Sequence, residues 1–119
     1  MTYRGVIVVE SLVDECVLET PGVVVSRVQR LRTDDPAVPV WTLLEVEIPD
    51  GCADDLVTQL ADAIRPGPWY ADFGSATSRT VVFRGRPFTY RVGDVTARRE
   101  VEAYGRSIGI PERQLDWAE

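Results

Sequence analysis

Two periods of apolar residues alternate along this chain. The first segment, Arg4 to Leu12 (RGVIVVESL), is a near-continuous apolar run rich in β-branched residues. Such a run fits a strand buried on both faces, and its place is central in a sheet. An acidic stretch around Asp14 and Glu15 and the turn pair Pro21-Gly22 precede a second strand, Val23 to Arg32, whose tail sets Val28 against Arg27 and Gln29. The loop TDDPAVP, with its two prolines, excludes regular structure and reads as a rim element. A third strand, WTLLEVEI, turns Leu44, Val46 and Ile48 one way and Trp41, Leu43, Glu45 and Glu47 the other.

The period then changes. Ala53, Leu56, Val57, Leu60 and Ile64 recur at helical spacing, with Asp50 placed to cap the helix, Asp54 and Asp55 at the positive end of its dipole and Pro66-Gly67-Pro68 ending it. WYADF returns to strand alternation, with Trp69, Ala71 and Phe73 on the core side and Tyr70 and Asp72 opposite. SRTVVFRGRPFTYRV reads as a hairpin around Gly85-Arg86, pairing Phe83 with Phe88 and Val81 with Tyr90. Setting Phe73 opposite Arg79 brings Ala71 to Val81 and Trp69 to Phe83, and leaves Tyr70 and Asp72 beside Val82, Thr80 and Arg91. A second helix, from about Val95 to Ile108, has Asp94 or Thr96 as cap and Ala97, Val101, Tyr104 and Ile108 facing the core. Gly109-Ile110-Pro111 has the order of a left-handed cap, a hydrophobic tuck and a stop, and Leu115 and Trp117 follow to close over the core edge.

These elements predict a single α+β domain over residues 1–119, in the order β-β-β-α-β-β-β-α. The sheet is mixed or antiparallel, of about six strands, with both helices on one face. The helix-free face then carries Trp41, Glu45, Glu47, Tyr70, Asp72, Thr80, Val82, Arg84, Thr89 and Arg91.

Composition narrows the chemistry. The chain has no His, Lys or Asn, and all 13 basic residues are Arg. The usual general base, the commonest metal ligand, Schiff-base chemistry and the phosphate-loop lysine are therefore missing. Net charge is −6, with 5 Arg against 13 acidic residues in residues 1–78 and 7 Arg against 3 acids in residues 79–106. This balance argues against nucleic acid as a partner, since a basic footprint is expected there. No apolar stretch approaches a membrane span and the N-terminus has no signal-peptide pattern, so a cytoplasmic location without membrane partners is expected. Cys16 and Cys52 stand in no metal-binding spacing and read as free thiols. No metal or cofactor is expected, and nucleotide-loop and nucleophile-elbow motifs are absent.

Three segments resemble a set of small single-domain bacterial and archaeal proteins of about this length. They are W-T-L-x-x-V-E-I-P at Trp41 to Pro49, W-Y-A-D-F at Trp69 to Phe73, and Y-G-x-S-x-G-I-P-x-x-Q-L-D-W at Tyr104 to Trp117. That family is uncharacterised. The resemblance implies a stand-alone cytoplasmic domain and carries over no catalytic residue. Where those proteins use Lys, this chain uses Arg.

A sheet face that mixes Trp, Tyr, carboxylates and Arg suits a ligand groove or a self-association surface. The sequence thus points to a non-enzymatic binding module that offers Trp41, Glu45, Glu47, Tyr70, Asp72, Arg84 and Arg91 to a small anionic or aromatic ligand, or to a second subunit. The alternative is an isomerase- or hydrolase-type enzyme using Glu45, Glu47 or Asp72 as acid or base beside Tyr70. A third reading is a regulatory partner of another protein.

Overall fold

A computed structural model describes residues 2–115. Six strands form one sheet: β1 (Thr2–Val8), β2 (Val24–Arg32), β3 (Val40–Pro49), β4 (Ala71–Gly74), β5 (Ser78–Phe83) and β6 (Arg86–Arg91). Two helices, α1 (Ala53–Ala63) and α2 (Val95–Ser107), complete the α+β domain. The strand order is β2-β3-β1-β4-β5-β6, and every neighbouring pair is antiparallel. The first strand is central, as expected, but it is not buried on both faces along its length: Ile7 and Val8 are buried, Val6 is half-buried and Arg4 is exposed. It ends at Val8, where the chain tightens into a 3-10 turn over Val9–Ser11.

α1 connects β3 to β4 across β1. Its apolar stripe brings Leu56 and Leu60, each fully buried, onto Ile7, Leu44, Val46, Ile48 and Phe73. Asp50 does not cap this helix through its side chain; a 3-10 turn over Asp50–Cys52 leads into it. α2 is capped by Asp94, whose carboxylate accepts from Ala97 N at 3.0 Å. The helix stops in a Schellman motif: Ile110 N donates to Gly105 O at 3.0 Å, Gly109 N donates to Arg106 O at 3.1 Å, and Gly109 takes φ of +94°. Ile110 tucks beneath, buried with Val101 and Leu115. Trp117 lies outside the described residues.

The two helices lie on opposite faces of the sheet, not on one. Phe83, Val81, Phe88 and Tyr90 form a second core with α2, separate from the core under α1. The cause is a one-residue difference in register. Ala71 pairs with Val82 and Asp72 with Val81, where the expected alignment paired Ala71 with Val81. A slip of one residue exchanges the faces of every side chain in the strand. Val81 and Phe83 therefore share a side with Tyr70 and Asp72, and that side needs a helix of its own. The β5–β6 loop is Arg84-Gly85, with Gly85 second at φ of +66°, so Val81 pairs with Phe88 and Phe83 with Arg86. That two-residue shift preserves the expected faces of the hairpin.

Gly5 allows β1 to sit against β4. A Cβ on Gly5 would fall 2.0 Å from Asp72 O and 2.3 Å from the Phe73 Cβ, both far inside van der Waals contact. Relief requires moving the backbone of β4 or expelling Phe73, which is 1% exposed. Gly5→Ala is expected to destabilise the domain by about 3 kcal/mol or more, measured by urea unfolding. A loss below about 0.5 kcal/mol, the range of ordinary surface changes, would show that the β1–β4 contact is not this close.

Candidate functional site

α2 packs on β5 and β6, through Val81, Phe83, Phe88 and Tyr90, and does not extend over β1, β2 and β3. Where the covered and uncovered halves meet, a recess of about 120 Å³ opens. Its floor is Val6, Val8 and Leu43, and its walls are Trp41, Pro68, Trp69, Tyr70, Asp72 and Gln114. The Trp41 and Trp69 rings stand 5.8 Å apart at 51°. Tyr70 leans on Phe83, ring centroids 6.2 Å apart, and its hydroxyl donates to Gln114 O at 3.2 Å, tying the recess to the segment after α2. A wider trough of about 710 Å³ continues outward, sharing Trp41, Pro68, Trp69 and Gln114. Its far wall is Leu31, Arg32, Thr33, Asp34 and Asp35, the end of β2 and the start of the proline-bearing loop, with Arg113 across from them on the C-terminal segment.

Trp41 is anchored through its neighbour. Beyond Val8, β1 no longer pairs with β3, and Thr42 N would lose its partner on that side. The Glu10 carboxylate takes its place, accepting from Thr42 N at 2.5 Å and from Thr42 Oγ1 at 2.9 Å. Partial burial raises the Glu10 pKa, but the Thr42 hydrogen bonds and the charge of Arg30 outweigh it, and the pKa lies below its ordinary value.

The residues expected on one face divide between two. Trp41, Glu45, Glu47, Tyr70 and Asp72 do share a face. Trp41, Tyr70 and Asp72 meet in the recess, while Glu45 and Glu47 lie farther along β3, in ion pairs with Arg27 at 3.5 Å and Arg4 at 3.0 Å. Arg84 and Arg91 are elsewhere. Arg84 donates to Ile64 O at 2.9 Å, at the end of α1, and Arg91 pairs in register with Ser78 on the side of the sheet that bears α1. The partner of Asp72 is therefore Arg79, at 3.1 Å, and not Arg91. The same one-residue register difference accounts for all of these changes. An anionic preference that rested on Arg84 and Arg91 has no basis in this recess.

Trp69, assigned to the core from alternation, is half-buried: it packs against the core under α1 and also lines the recess. Strand alternation does not reach it, because β4 begins only at Ala71 and Trp69 N donates back to Gly67 O in a turn. The signal was the Pro66-Gly67-Pro68 breaker itself. Gln114 was missed because nothing local to ERQ indicates the backbone contact with Tyr70.

Among the described residues, no three Cys, Asp or Glu side chains gather to hold a metal ion, and no helix is long and apolar enough to cross a membrane. Comparison with protein-family models, with curated proteins and with solved structures finds no match to this chain. The site's own geometry therefore carries the functional argument.

The lowered pKa of Glu10 has a signed consequence for stability. In the window below the ordinary glutamate value of 4.5 the unfolded chain binds the proton more readily than the folded one, so the contribution is complete above that window and is lost as pH falls through it. Glu10→Gln is expected to flatten the acid limb of a stability-against-pH curve relative to wild type. Parallel curves would show that the Glu10–Thr42 link does not contribute.

Proposed function

We propose that this domain is a non-enzymatic binding module that takes a small, partly apolar organic molecule in the recess and trough beside Trp41 and Trp69. The observation that carries this reading is the tryptophan pair itself, two large rings set at an angle as the wall of an open concave site. Aromatic surface of this kind supplies contact area at small entropic cost, and the combined recess and trough are of the size that small-molecule sites occupy. The acid–base alternative is not favoured, because Glu45, Glu47 and Asp72 each face an arginine partner. A ring-stacking role for Trp41 needs none of these carboxylates.

A second reading, self-association, is favoured by a separate observation. β2 is a nine-residue edge strand exposed along its whole length, with Val24, Val25, Val28 and Leu31 each 41–58% exposed. Edges of this kind pair readily with another strand. Light scattering on wild type and on Val28→Lys tests it: a dimer that the variant dissociates into folded monomers supports the reading, and a monomeric wild type removes it.

The ligand reading is tested in a Trp117→Phe background, where emission comes from Trp41 and Trp69 alone. Planar aromatic fragments are expected to change that emission saturably, and Trp41→Ala is expected to weaken them about tenfold, in the range of a lost stacking contact. A fragment set in which none saturates would remove this function.

A further inference from the structure

The electrostatics of the recess go a step beyond that reading and rest on it. Three aromatic side chains, Trp41, Trp69 and Tyr70, line a space of about 120 Å³, and the one charged side chain among its described lining residues is Asp72. Asp72 is ion-paired with Arg79 at 3.1 Å, and Arg79 does not line the space.

Aromatic faces attract cations through their quadrupole, and several rings around one small space, with a carboxylate beside them, are the chemistry that recognises a quaternary ammonium group. An anion would meet the carboxylate-bearing Asp72, with no cationic side chain among the described residues lining the recess. A bulky neutral ring system is too large for the recess and would lie in the outer trough. We infer that the recess beside Trp41, Trp69 and Tyr70 is a binding site for the alkylated ammonium head of a small organic cation, with the body of the molecule in the trough beyond.

The test compares choline with its uncharged isostere 3,3-dimethylbutan-1-ol, in the Trp117→Phe background, following the indole N–H resonances of Trp41 and Trp69. Choline is expected to shift both saturably and to bind at least about fivefold tighter than the isostere, within the range for a cation over aromatic faces. Trp41→Leu keeps apolar bulk but removes a π-face, and is expected to abolish that preference while sparing the isostere. Asp72→Asn is expected to reduce it in part. Equal binding of the two probes, or a preference unchanged in Trp41→Leu, would overturn the cation assignment and leave the binding-module reading standing. If neither probe moves the indoles while aromatic fragments do, the cation assignment also falls. If neither probe nor any aromatic fragment moves them, both readings fall together.

Discussion

The structure depends on one close approach, that of β1 to β4 at Gly5. The missing side chain lets the backbone at Asp72 and the base of Phe73 occupy space that any other residue would fill. Phe73 can then lie fully under α1 while its neighbour Asp72 points to the other face. The same alternation sends Tyr70 and Asp72 to the side that carries the recess, beside Val6 and Val8 from β1. A hydrophobic core on one face and a polar-aromatic site on the other are thus two sides of a single pairing. The sheet has no slack there in which to adjust one without the other.

Much of the fold was legible because burial is written in period. The Leu44, Val46 and Ile48 alternation, the Leu56, Leu60 and Ile64 stripe and the Gly109-Ile110-Pro111 stop all appear where they were expected, since each depends on local geometry and apolar spacing. Register between strands is different in kind. It is set by side-chain volume across the sheet, and residues 79–83 are apolar enough at both parities, Val82 on one and Val81 and Phe83 on the other, to accept either alignment. Val81 and Val82 are both fully buried, so nothing in that dipeptide says which belongs to which face. One residue of ambiguity moved α2 to the other side of the sheet and exchanged Arg91 for Arg79 as the partner of Asp72.

The candidate site was legible in part for the same reason. Trp41 and Asp72 were readable from the alternation within β3 and within β4, where parity is robust, and Tyr70 stands just ahead of β4. The other contributors come from places where no period operates: Trp69 from the turn that follows a proline breaker, Gln114 from a 3-10 turn, Asp34 and Asp35 from a loop. The sign of charge around the recess depended on arginines whose faces were exchanged, so it changed as well. Pairwise polar partners across a sheet are thus a weaker inference from sequence than the apolar layer beneath them.

The position of β1 also bears on how the chain reaches this state. It is made first, yet its two neighbours in the sheet are β3 and β4, so it cannot be paired on both sides until the chain has reached Gly74. The β2–β3 and β5–β6 hairpins close over short spans, whereas the centre of the sheet waits for contacts distant in sequence, and such contacts are slow to form. During that interval the central strand of the domain has no complete cover. The acids that follow it, Glu10, Asp14, Glu15 and Glu19, supply repulsion between chains at the moment of greatest exposure. Glu10 later changes task, from keeping separate molecules apart to tying down the end of β3.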